Sequence, residues 1–262
     1  MPHKHHNAFE ITIAGSGNMA WHLARVIRAK NHVVRTIISR NKVTGREIAD
    51  DVNAAYTGDF RSDNSKSDFV ILAVNDSSLP EVVNKINGTD TIVLHTSGSI
   101  GMDIFDSRFR QFGVLYPFQT LTRKAETDFS VIPLCIEASD KNTFFMVNKL
   151  AGSLSNKIHS LDSEKRKILH IAGVLSNNSM NHLIARTFDY LEKHGIDKNI
   201  LMPLLRETIK KLEFVPPREA QTGPARRKNT EIIEAHKKML ENEPQLKKLY
   251  SLISDSIIAY YS

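Results

Sequence analysis

Hydrophobic and polar positions follow two different patterns along the 262-residue chain, and the change between them falls near residue 160. The first part contains short runs of apolar and β-branched residues that amphipathic stretches separate. These runs predict strands at 9–14, 33–39, 67–76, 90–98, 112–118, 130–138 and 157–162, with helices at 18–30, 79–86 and 141–155. Strands that alternate with helices are typical of a doubly wound, mostly parallel sheet, so an α/β fold is expected for residues 1–160.

Residues 161–262 have helical periodicity and almost no strand signal, which predicts an all-α domain. The stretch from Ser163 to Gly195 lacks proline and begins after the cap-like Asp162. Its apolar residues lie on more than one face, which predicts a long, central, buried helix. Further helices are predicted at 198–214, 230–240 and 244–261, and an apolar stripe from Leu246 to Ile257 favours a homodimer built on this half.

The segment FEITIAGSGNMAWHLARVI, at residues 9–27, has Gly15, Gly17 and Ala20 between an apolar strand and a helix. In this context the spacing G-x-G-x-x-A is typical of a dinucleotide-binding turn. Gly15 permits the tight turn, Gly17 lets a pyrophosphate approach the backbone, and the helix N-terminus supplies free N–H groups. The alternative is a purely structural turn between strand and helix.

The residues at the end of the second predicted strand indicate whether NAD or NADP is bound. It reads ISRN, with Ser39, Arg40 and Asn41 and no acidic residue. An NAD-binding protein usually has a carboxylate there for the ribose hydroxyl, whereas a guanidinium is able to bind a 2′-phosphate through two hydrogen bonds. NADP is therefore the expected cofactor, and the alternative is that Arg40 is an ordinary surface arginine.

Composition and charge narrow the class of partners. The net charge is +6, but the only dense basic cluster is 226–228, and no zinc-finger or RNA-recognition pattern is present, so no nucleic-acid partner is expected. No apolar run approaches the roughly 18 residues that span a bilayer, so no membrane partner is expected either. The single cysteine, Cys135, fits a reducing cytoplasm. The terminal His3, His5 and His6 are interpreted as a frayed segment, and no metal site is expected.

Four stretches follow one another in an order that resembles a known family. They are LAVNDSSLPEV (72–82), LHTSGSIG (94–101), GVLYPFQTLT (113–122) and QTGPARRKN (221–229). The chain resembles Rossmann-like NADP oxidoreductases with a helical C-terminal domain of unknown function. These look like distant relatives of pyrroline-5-carboxylate reductase and of the 6-phosphogluconate and 3-hydroxyacid dehydrogenases. The resemblance implies an NADP-binding Rossmann domain at 1–160 and a helical substrate and dimerisation domain at 161–262.

The resemblance also implies cofactor contacts by position. The pyrophosphate would lie at Gly15, Ser16, Gly17, Asn18 and Met19. Ala73, Val74 and Asn75 would lie beside the adenosine or its ribose, and His95, Thr96, Ser97 and Gly98 would border the nicotinamide. Ser39 and Arg40 are expected at the 2′-phosphate for the reason given above. Relatives commonly have histidine where this chain has Tyr116, whose hydroxyl is also able to donate a proton.

Reduction of a carbonyl or imine needs a proton donor and a group that orients the substrate. His170 and Asn177, on the predicted long helix, are seven residues apart and are expected to share a face. Histidine suits a general acid, and asparagine is able to orient a carbonyl. The alternative is that His170 is a core histidine. The segment 221–229 is a candidate for binding a substrate carboxylate at a helix start, in its own or a neighbouring subunit, against the alternative of a solvated loop.

Together these patterns predict a cytoplasmic NADP-dependent oxidoreductase that acts on a small, anionic carbonyl or imine compound. Three alternatives remain open at this point. The first is a non-catalytic NADP-binding redox sensor, the second is a nucleic-acid-binding protein suggested by charge alone, and the third is a deazaflavin as the hydride partner.

Overall fold

Eight strands form one sheet in the computed structural model, which describes residues 8–87 and 91–262. In chain order the strands are β1 (Glu10–Ala14), β2 (Val33–Ile38), β3 (Ala55–Thr57), β4 (Phe69–Leu72), β5 (Ile92–His95), β6 (Phe112–Pro117), β7 (Pro133–Ala138) and β8 (Lys157–Ser160). Their order across the sheet is β3-β2-β1-β4-β5-β6-β7-β8, and the neighbouring pairs are parallel except β6 and β7. The predicted mostly parallel, Rossmann-type sheet is confirmed. The terminal histidines His3, His5 and His6 lie outside the described residues.

Helices lie between or after these strands. They are α1 (Asn18–Ala29), α2 (Lys42–Val52), α3 (Leu79–Lys85), α4 (Lys141–Leu154) and α5 (Ser163–Gly173). The crossover helix α1 buries Ala20, Leu23, Ala24 and Ile27, which have the spacing of one helical face. This apolar face holds α1 against the sheet and fixes the direction in which its N-terminus points.

Two of these elements, α2 and β3, are absent from the elements predicted from the sequence. Gly45 lies in the middle of α2, where glycine is an unfavourable residue. A Cβ atom at Gly45 would lie 2.6 Å from the ring of Tyr56 in β3. The glycine therefore allows α2 to pack closely on the edge of the sheet, and tertiary contact offsets its poor helix propensity.

The sheet is buried on both faces. Ile13 and Ile71 belong to one apolar cluster, which includes residues of α1 and α4, whereas Val70 and Leu72 belong to a second cluster with residues of α3. This alternation follows from the two-residue period of a strand. Cys135 is buried in β7, as predicted, and burial raises the pKa of its thiol.

The stretch 163–195 forms two α-helices joined by a π-helical turn, not the single helix predicted from the sequence. After α5, the π-helical turn covers Val174–Asn178, and α6 covers Ser179–Lys193. The prediction that this stretch is buried is wrong as well. Ile168 and Leu175 are 68% and 65% exposed within the chain, and the buried residue of α5 is Arg166, not an apolar residue.

The contacts divide the chain into two compact units, Met1–Ser176 and Asn177–Ser262. The boundary predicted near residue 160 precedes α5, whereas the structure groups α5 with the sheet. A buried ion pair between Arg166 of α5 and Glu137 of β7 is one contact between this helix and the sheet.

Within the described residues, the regular secondary structure of the second unit is helical. Besides α6 it contains α7 (Leu201–Lys211), α8 (Pro217–Ala220), α9 (Thr230–Met239) and α10 (Pro244–Tyr260). The apolar stripe predicted on the last helix lines a cavity of about 350 Å³ within this unit, through Leu246, Tyr250, Ile253 and Ile257. None of the helices described here has the length and apolar character needed to cross a membrane.

Candidate functional site

The turn after β1 lies at the point of the sheet where the order of the strands reverses. β2 lies on one side of β1 and β4 on the other, and ligands of open α/β sheets bind at such a point. Gly15 has a φ of 132°, and a Cβ atom there would lie 2.1 Å from the carbonyl oxygen of Ala73. Glycine at position 15 is therefore required by the fold itself.

Gly17 differs from Gly15 in both respects. Its φ of −79° and ψ of −172° are open to any residue. A Cβ atom at Gly17 would have no neighbouring atom within 4 Å. Neither backbone strain nor packing within the chain requires glycine here, and the space beside it is open.

The N-terminus of α1 faces this open space with free backbone donors. Gly17 is the N-cap, no side chain caps the first N–H groups, and the first turn has no acidic residue. Such a terminus attracts an anion through its N–H groups and its dipole. The side chain of Asn18 donates to the carbonyl of Leu121 at 2.9 Å, and Met19 packs against the core. These two residues would therefore offer an anion their backbone N–H groups.

Ser39 and Arg40 lie where β2 ends. The hydroxyl of Ser39 is buried and lies 2.7 Å from the hydroxyl of Ser16, so the two predicted segments are in contact. The guanidinium of Arg40 is exposed, pairs with Glu81 at 3.2 Å, and lies 3.4 Å from the hydroxyl of Ser78. Arg40 thus stands at the rim of the space beside the glycine turn, with a weak, exposed partner that another anion is able to replace.

These segments surround a cleft of about 270 Å³, which we call the cofactor cleft. Its lining residues are Gly15, Ser16, Gly17, Ser39, Arg40, Asn41, Phe60, Ala73, Val74, Asn75, Ser78 and Val82. The structure thus brings together the sequence-predicted residues from three strand ends. None of these lining residues is acidic, and the polar ones are hydroxyls, amides and one guanidinium. The composition suits a ligand with anionic groups and an apolar ring.

Three lining residues, Phe60, Ser78 and Val82, were not among the sequence-predicted site residues. Phe60 is buried in the loop after β3, and Ser78 ends a short 3-10 helix before α3. Phe60 lies in none of the quoted stretches, whereas Ser78 and Val82 lie in LAVNDSSLPEV (72–82), in which only Ala73, Val74 and Asn75 were assigned to the site. A signal for Ser78 existed in its place just after the third predicted strand, since connections at the carboxyl ends of strands line such clefts.

The side chain of His95 does not border any open space. It is fully buried at the end of β5, and its ring stacks on Phe105 with centroids 5.7 Å apart. Its Nδ1 accepts a hydrogen bond from the backbone N–H of Ser97 at 3.2 Å. Burial, and secondarily the charge of Arg166, lower the pKa of His95 to about 4. His95 is therefore a neutral core histidine, and a direct contact of its ring with a nicotinamide does not fit this position.

The residues after His95 form a tight turn. Thr96 and Ser97 are nearly buried, and the hydroxyl of Ser97 accepts from the backbone N–H groups of Ser99 and Ile100, both at 3.1 Å. The turn presents the backbone of Gly98 to two side chains that come from distant parts of the chain.

Tyr116 of β6 and His170 of α5 meet over Gly98, and we call these three residues the Tyr–His cluster. The hydroxyl of Tyr116 and Nδ1 of His170 are hydrogen-bonded at 3.1 Å. A Cβ atom at Gly98 would lie 2.6 Å from this Nδ1 and 2.6 Å from Cζ of Tyr116. Burial raises the pKa of Tyr116 to about 12. The hydroxyl is protonated at neutral pH, so the pair holds a transferable proton beside a ring nitrogen.

The structure does not extend the cluster to Asn177. That residue lies in the π-helical turn and belongs to the second unit, where its side-chain amide donates to Asn178 at 3.3 Å. The α-helical spacing on which the shared face with His170 depended is interrupted at Val174. A role for Asn177 stays a prediction.

A buried ion pair connects α5, the helix that carries His170, to the sheet. Arg166 has no exposed surface; it pairs with Glu137 and donates to the carbonyl of Ile100 at 2.6 Å. Ser163, at the start of α5, donates its hydroxyl and its N–H to the same carboxylate. Arg166 therefore joins α5, β7 and the turn that carries Gly98. No sequence motif marks it.

The segment 221–229 is a compact turn in the second unit. Gly223 and Lys228 have φ values of 104° and 54°, and the guanidinium of Arg226 lies 4.5 Å from the ring centroid of Tyr261. The expectation of a helix start at Gly223 is wrong: α9 begins at Thr230, and the side chain of Asn229 caps it. That N-terminus already has a side-chain acceptor, so anion binding there is disfavoured.

Metal-ligating side chains form no cluster of three or more in the part of the chain that the structure describes. The chemistry available at the two sites is that of backbone N–H groups, hydroxyls, side-chain amides, one imidazole and guanidinium groups. The fold and the cofactor cleft define a Rossmann-type protein with an appended helical unit.

Comparisons with known proteins agree with this class and define the family. A Rossmann-like domain model matches residues 4–115, and the model of a domain of unknown function, DUF2520, matches residues 132–257. A protein from Bacteroides fragilis, described as a candidate NADP oxidoreductase, is 34% identical with a TM-score of 0.90 over 96% of this chain and 98% of its own. The chain therefore belongs to this family of Rossmann-like proteins with a DUF2520 domain.

Two further solved structures share the fold. A protein from Thermotoga maritima is 20% identical, with a TM-score of 0.79 over 94% of this chain and 97% of its own. A 1-pyrroline-5-carboxylate reductase from Streptococcus pyogenes is 14% identical, with a TM-score of 0.63 over 97% of this chain and 100% of its own. No curated protein matches the chain.

Proposed function

We propose that the protein is an NADP-dependent oxidoreductase that transfers a hydride between NADP(H) and a small, anionic carbonyl or imine compound. The observation that carries the proposal is the open space at Gly17. A glycine that neither strain nor packing explains borders a cleft without carboxylates, at an uncapped helix N-terminus. A pyrophosphate accounts for all three features.

The polar end of the cleft supports NADP over NAD. Arg40 is the cationic residue among those that line the cleft, and no lining residue is acidic. A 2′-phosphate would replace Glu81 as the partner of Arg40 and gain two parallel hydrogen bonds. The name of the 34% identical Bacteroides fragilis protein points to the same cofactor.

The Tyr–His cluster supports a reaction and not binding alone. When it is bound, NADPH supplies the hydride, and the chain must supply the proton that completes reduction. The hydroxyl of Tyr116 holds such a proton, and Nδ1 of His170 at 3.1 Å is placed to exchange it. Gly98 leaves the room that this pair occupies. Deletion of either side chain would remove the proton path without touching the cofactor cleft.

Two fold relatives with named ligands or reactions motivate the substrate class. One is the pyrroline-5-carboxylate reductase from Streptococcus pyogenes, and another is a reductive aminase from Aspergillus terreus solved with NADPH and ethyl levulinate. Both names concern carbonyl or imine chemistry. The likeness to each is in fold, so the substrate itself is to be found by assay.

Calorimetric titration with NADPH and NADH tests the cofactor, and a screen that follows NADPH absorbance with oxo acids, imino acids and aldehydes tests the reaction. We expect NADPH binding that exceeds NADH binding, and turnover with at least one compound. A protein that binds neither NADPH nor NADH would refute the proposal. Tight NADPH binding without turnover would favour a non-catalytic redox sensor.

We also propose that the protein is a homodimer through its helices. Large apolar side chains are exposed there in the single chain, and such surfaces mark protein contacts. They include Ile168, Ile171, Leu175, Ile200, Leu204, Phe214, Met239 and Leu252. Light scattering at micromolar concentration should give twice the mass of the chain, and a monomer mass would contradict the proposal.

A further inference from the structure

The connection after β6 lies against the glycine turn of the cofactor cleft. Between Pro117 and the short helix at Phe129 it has no regular secondary structure. Asn18 donates to the carbonyl of Leu121 at 2.9 Å, and Nε2 of the buried His22 lies 3.1 Å from the carbonyl of Thr122. Side chains of α1 thus fix two successive carbonyls of this connection beside the turn.

Arg123 is the next residue of the connection, and it reaches the turn itself. One of its terminal nitrogens donates to the carbonyl oxygen of Ser16 at 2.7 Å. Ser16 lies between Gly15 and Gly17, the two glycines assigned to the pyrophosphate. A second cation therefore stands beside the glycine turn, in addition to Arg40 at the end of β2.

The other terminal nitrogen of Arg123 pairs with Glu47 of α2 at 2.7 Å. The side chain of Glu47 is 58% exposed, whereas that of Arg123 is 25% exposed. An exposed carboxylate is a weak partner, since solvent screens such a pair. A phosphate accepts from the same guanidinium nitrogens and carries more negative charge than a carboxylate.

We propose that Arg123 is a ligand of a cofactor phosphate and that Glu47 competes with that phosphate for its guanidinium. In the free protein Arg123 pairs with Glu47, and in the complex it turns from Glu47 to the dinucleotide while its contact with Ser16 keeps it in place. This inference rests on the proposed NADP-binding function and adds a ligand that no motif marks.

Opposite effects of the two partners distinguish this role from a structural ion pair. Arg123→Met removes a charge-assisted bond and should weaken NADPH binding by about 10-fold or more. Glu47→Gln removes the competitor and should strengthen NADPH binding, by about 2- to 5-fold if an exposed pair is worth about 0.4–1 kcal/mol. In the double variant the gain from Glu47→Gln should vanish, because no guanidinium remains to be released.

The experiment is calorimetric titration of the full chain with NADPH and with NADH, alongside melting temperatures. Arg25→Met is the matched control, since Arg25 of α1 pairs with Asp51 of α2 at 3.0 Å; it should leave NADPH affinity unchanged. Arg123→Lys keeps the charge, loses the planar fork and should show an intermediate loss.

The two dinucleotides identify which phosphate is bound. A loss on Arg123→Met that is equal for NADPH and NADH indicates the pyrophosphate, and a loss confined to NADPH indicates the 2′-phosphate; both support the inference. Wild-type binding that Arg123→Met leaves unchanged would overturn the inference alone, as would a Glu47→Gln variant that loses affinity. A wild-type protein that binds neither dinucleotide would overturn the proposed function as well.

Discussion

The cofactor cleft and the Tyr–His cluster both lie at carboxyl ends of strands in the first unit, but different interactions form them. The glycine turn of the cleft is built by backbone conformations of neighbouring residues, with φ of 132° at Gly15 and an uncapped helix start at Gly17. The cluster joins side chains that are 54 residues apart, and one of them lies on α5, the helix that carries Arg166, the partner of Glu137 in β7. The backbone of the glycine turn should therefore keep its conformation when a single side chain beside it is changed, whereas removal of one side chain abolishes the cluster.

The largest expected effect is on turnover at the cluster. His170→Ala should lower turnover by about 10²- to 10⁴-fold, the usual contribution of a positioned acid or base, and should leave NADPH affinity unchanged. The assay needs a substrate from the screen, with turnover, cofactor affinity and melting temperature measured on one preparation. The exposed His159 of β8 gives a matched control, His159→Ala, with normal turnover. A destabilised His170→Ala protein with near-normal turnover would instead show that His170 is a core histidine.

The next largest effect is expected on stability, at the buried ion pair of Arg166 and Glu137. Arg166→Met leaves the carboxylate of Glu137 without its charged partner and should lower the free energy of unfolding by about 3–5 kcal/mol. Its neighbour supplies the control, because Lys165 is exposed and pairs only with Asp162 in the same turn at 3.3 Å; Lys165→Met should change stability by about 0.5 kcal/mol or less. Urea denaturation measures both variants. A loss below about 1 kcal/mol for Arg166→Met would show that this ion pair is not needed to hold α5 against the sheet.

The sequence predicted the cofactor cleft in more detail than the cluster because its determinants are local. The glycine spacing, the apolar strands and the absence of an acidic residue at Ser39 and Arg40 are properties of short segments. The meeting of Tyr116 and His170 depends on strand order and on the path of α5, and no spacing in the chain encodes the pairing of Arg166 with Glu137.

Errors of prediction have physical causes of the same kind. A π-helical turn leaves no mark in an apolar pattern that assumes 3.6 residues per turn, so the break at Val174–Asn178 was not predicted. The helix α2 was not predicted, and its Gly45, an unfavourable residue in a helix interior, packs against the ring of Tyr56 where a side chain would not fit. The ring of His95 stacks on Phe105 inside the core, and a role of this strand end beside the nicotinamide stays a prediction.

The buried state of His95 gives a pH-dependent test. Its pKa is lowered to about 4 in the folded protein, so the unfolded chain binds the extra proton first as pH falls below about 6.5. Its contribution to stability is therefore complete above that pH and is lost as pH falls toward 4. Between pH 7 and pH 4.5 the wild type should lose about 2–3 kcal/mol relative to His95→Gln, measured by urea denaturation. Parallel stability curves for the two proteins would contradict this assignment.

A smaller effect is expected at the rim of the cleft. Arg40→Asp replaces a guanidinium with a repelling charge, and the loss of one charge-assisted bond, about 1.5–3 kcal/mol, should weaken NADPH binding about 10- to 150-fold. NADH binding to the same variant is the internal control and should stay the same or improve, because NADH lacks the 2′-phosphate. If the ratio of NADPH to NADH affinity stays at its wild-type value, Arg40 does not select the cofactor.

The assignment of the glycine turn to the cofactor depends on the different reasons for which positions 15 and 17 are glycine. Calorimetric titration of one variant at each position tests this assignment. Gly17→Val places a side chain in space that is open within the chain, so the variant should fold with a normal melting temperature and fail to bind NADPH. Gly15→Ala should destabilise the fold itself, because its Cβ would lie 2.1 Å from the carbonyl oxygen of Ala73. A folded Gly17→Val protein that binds NADPH as tightly as the wild type would contradict the assignment of this turn to the cofactor.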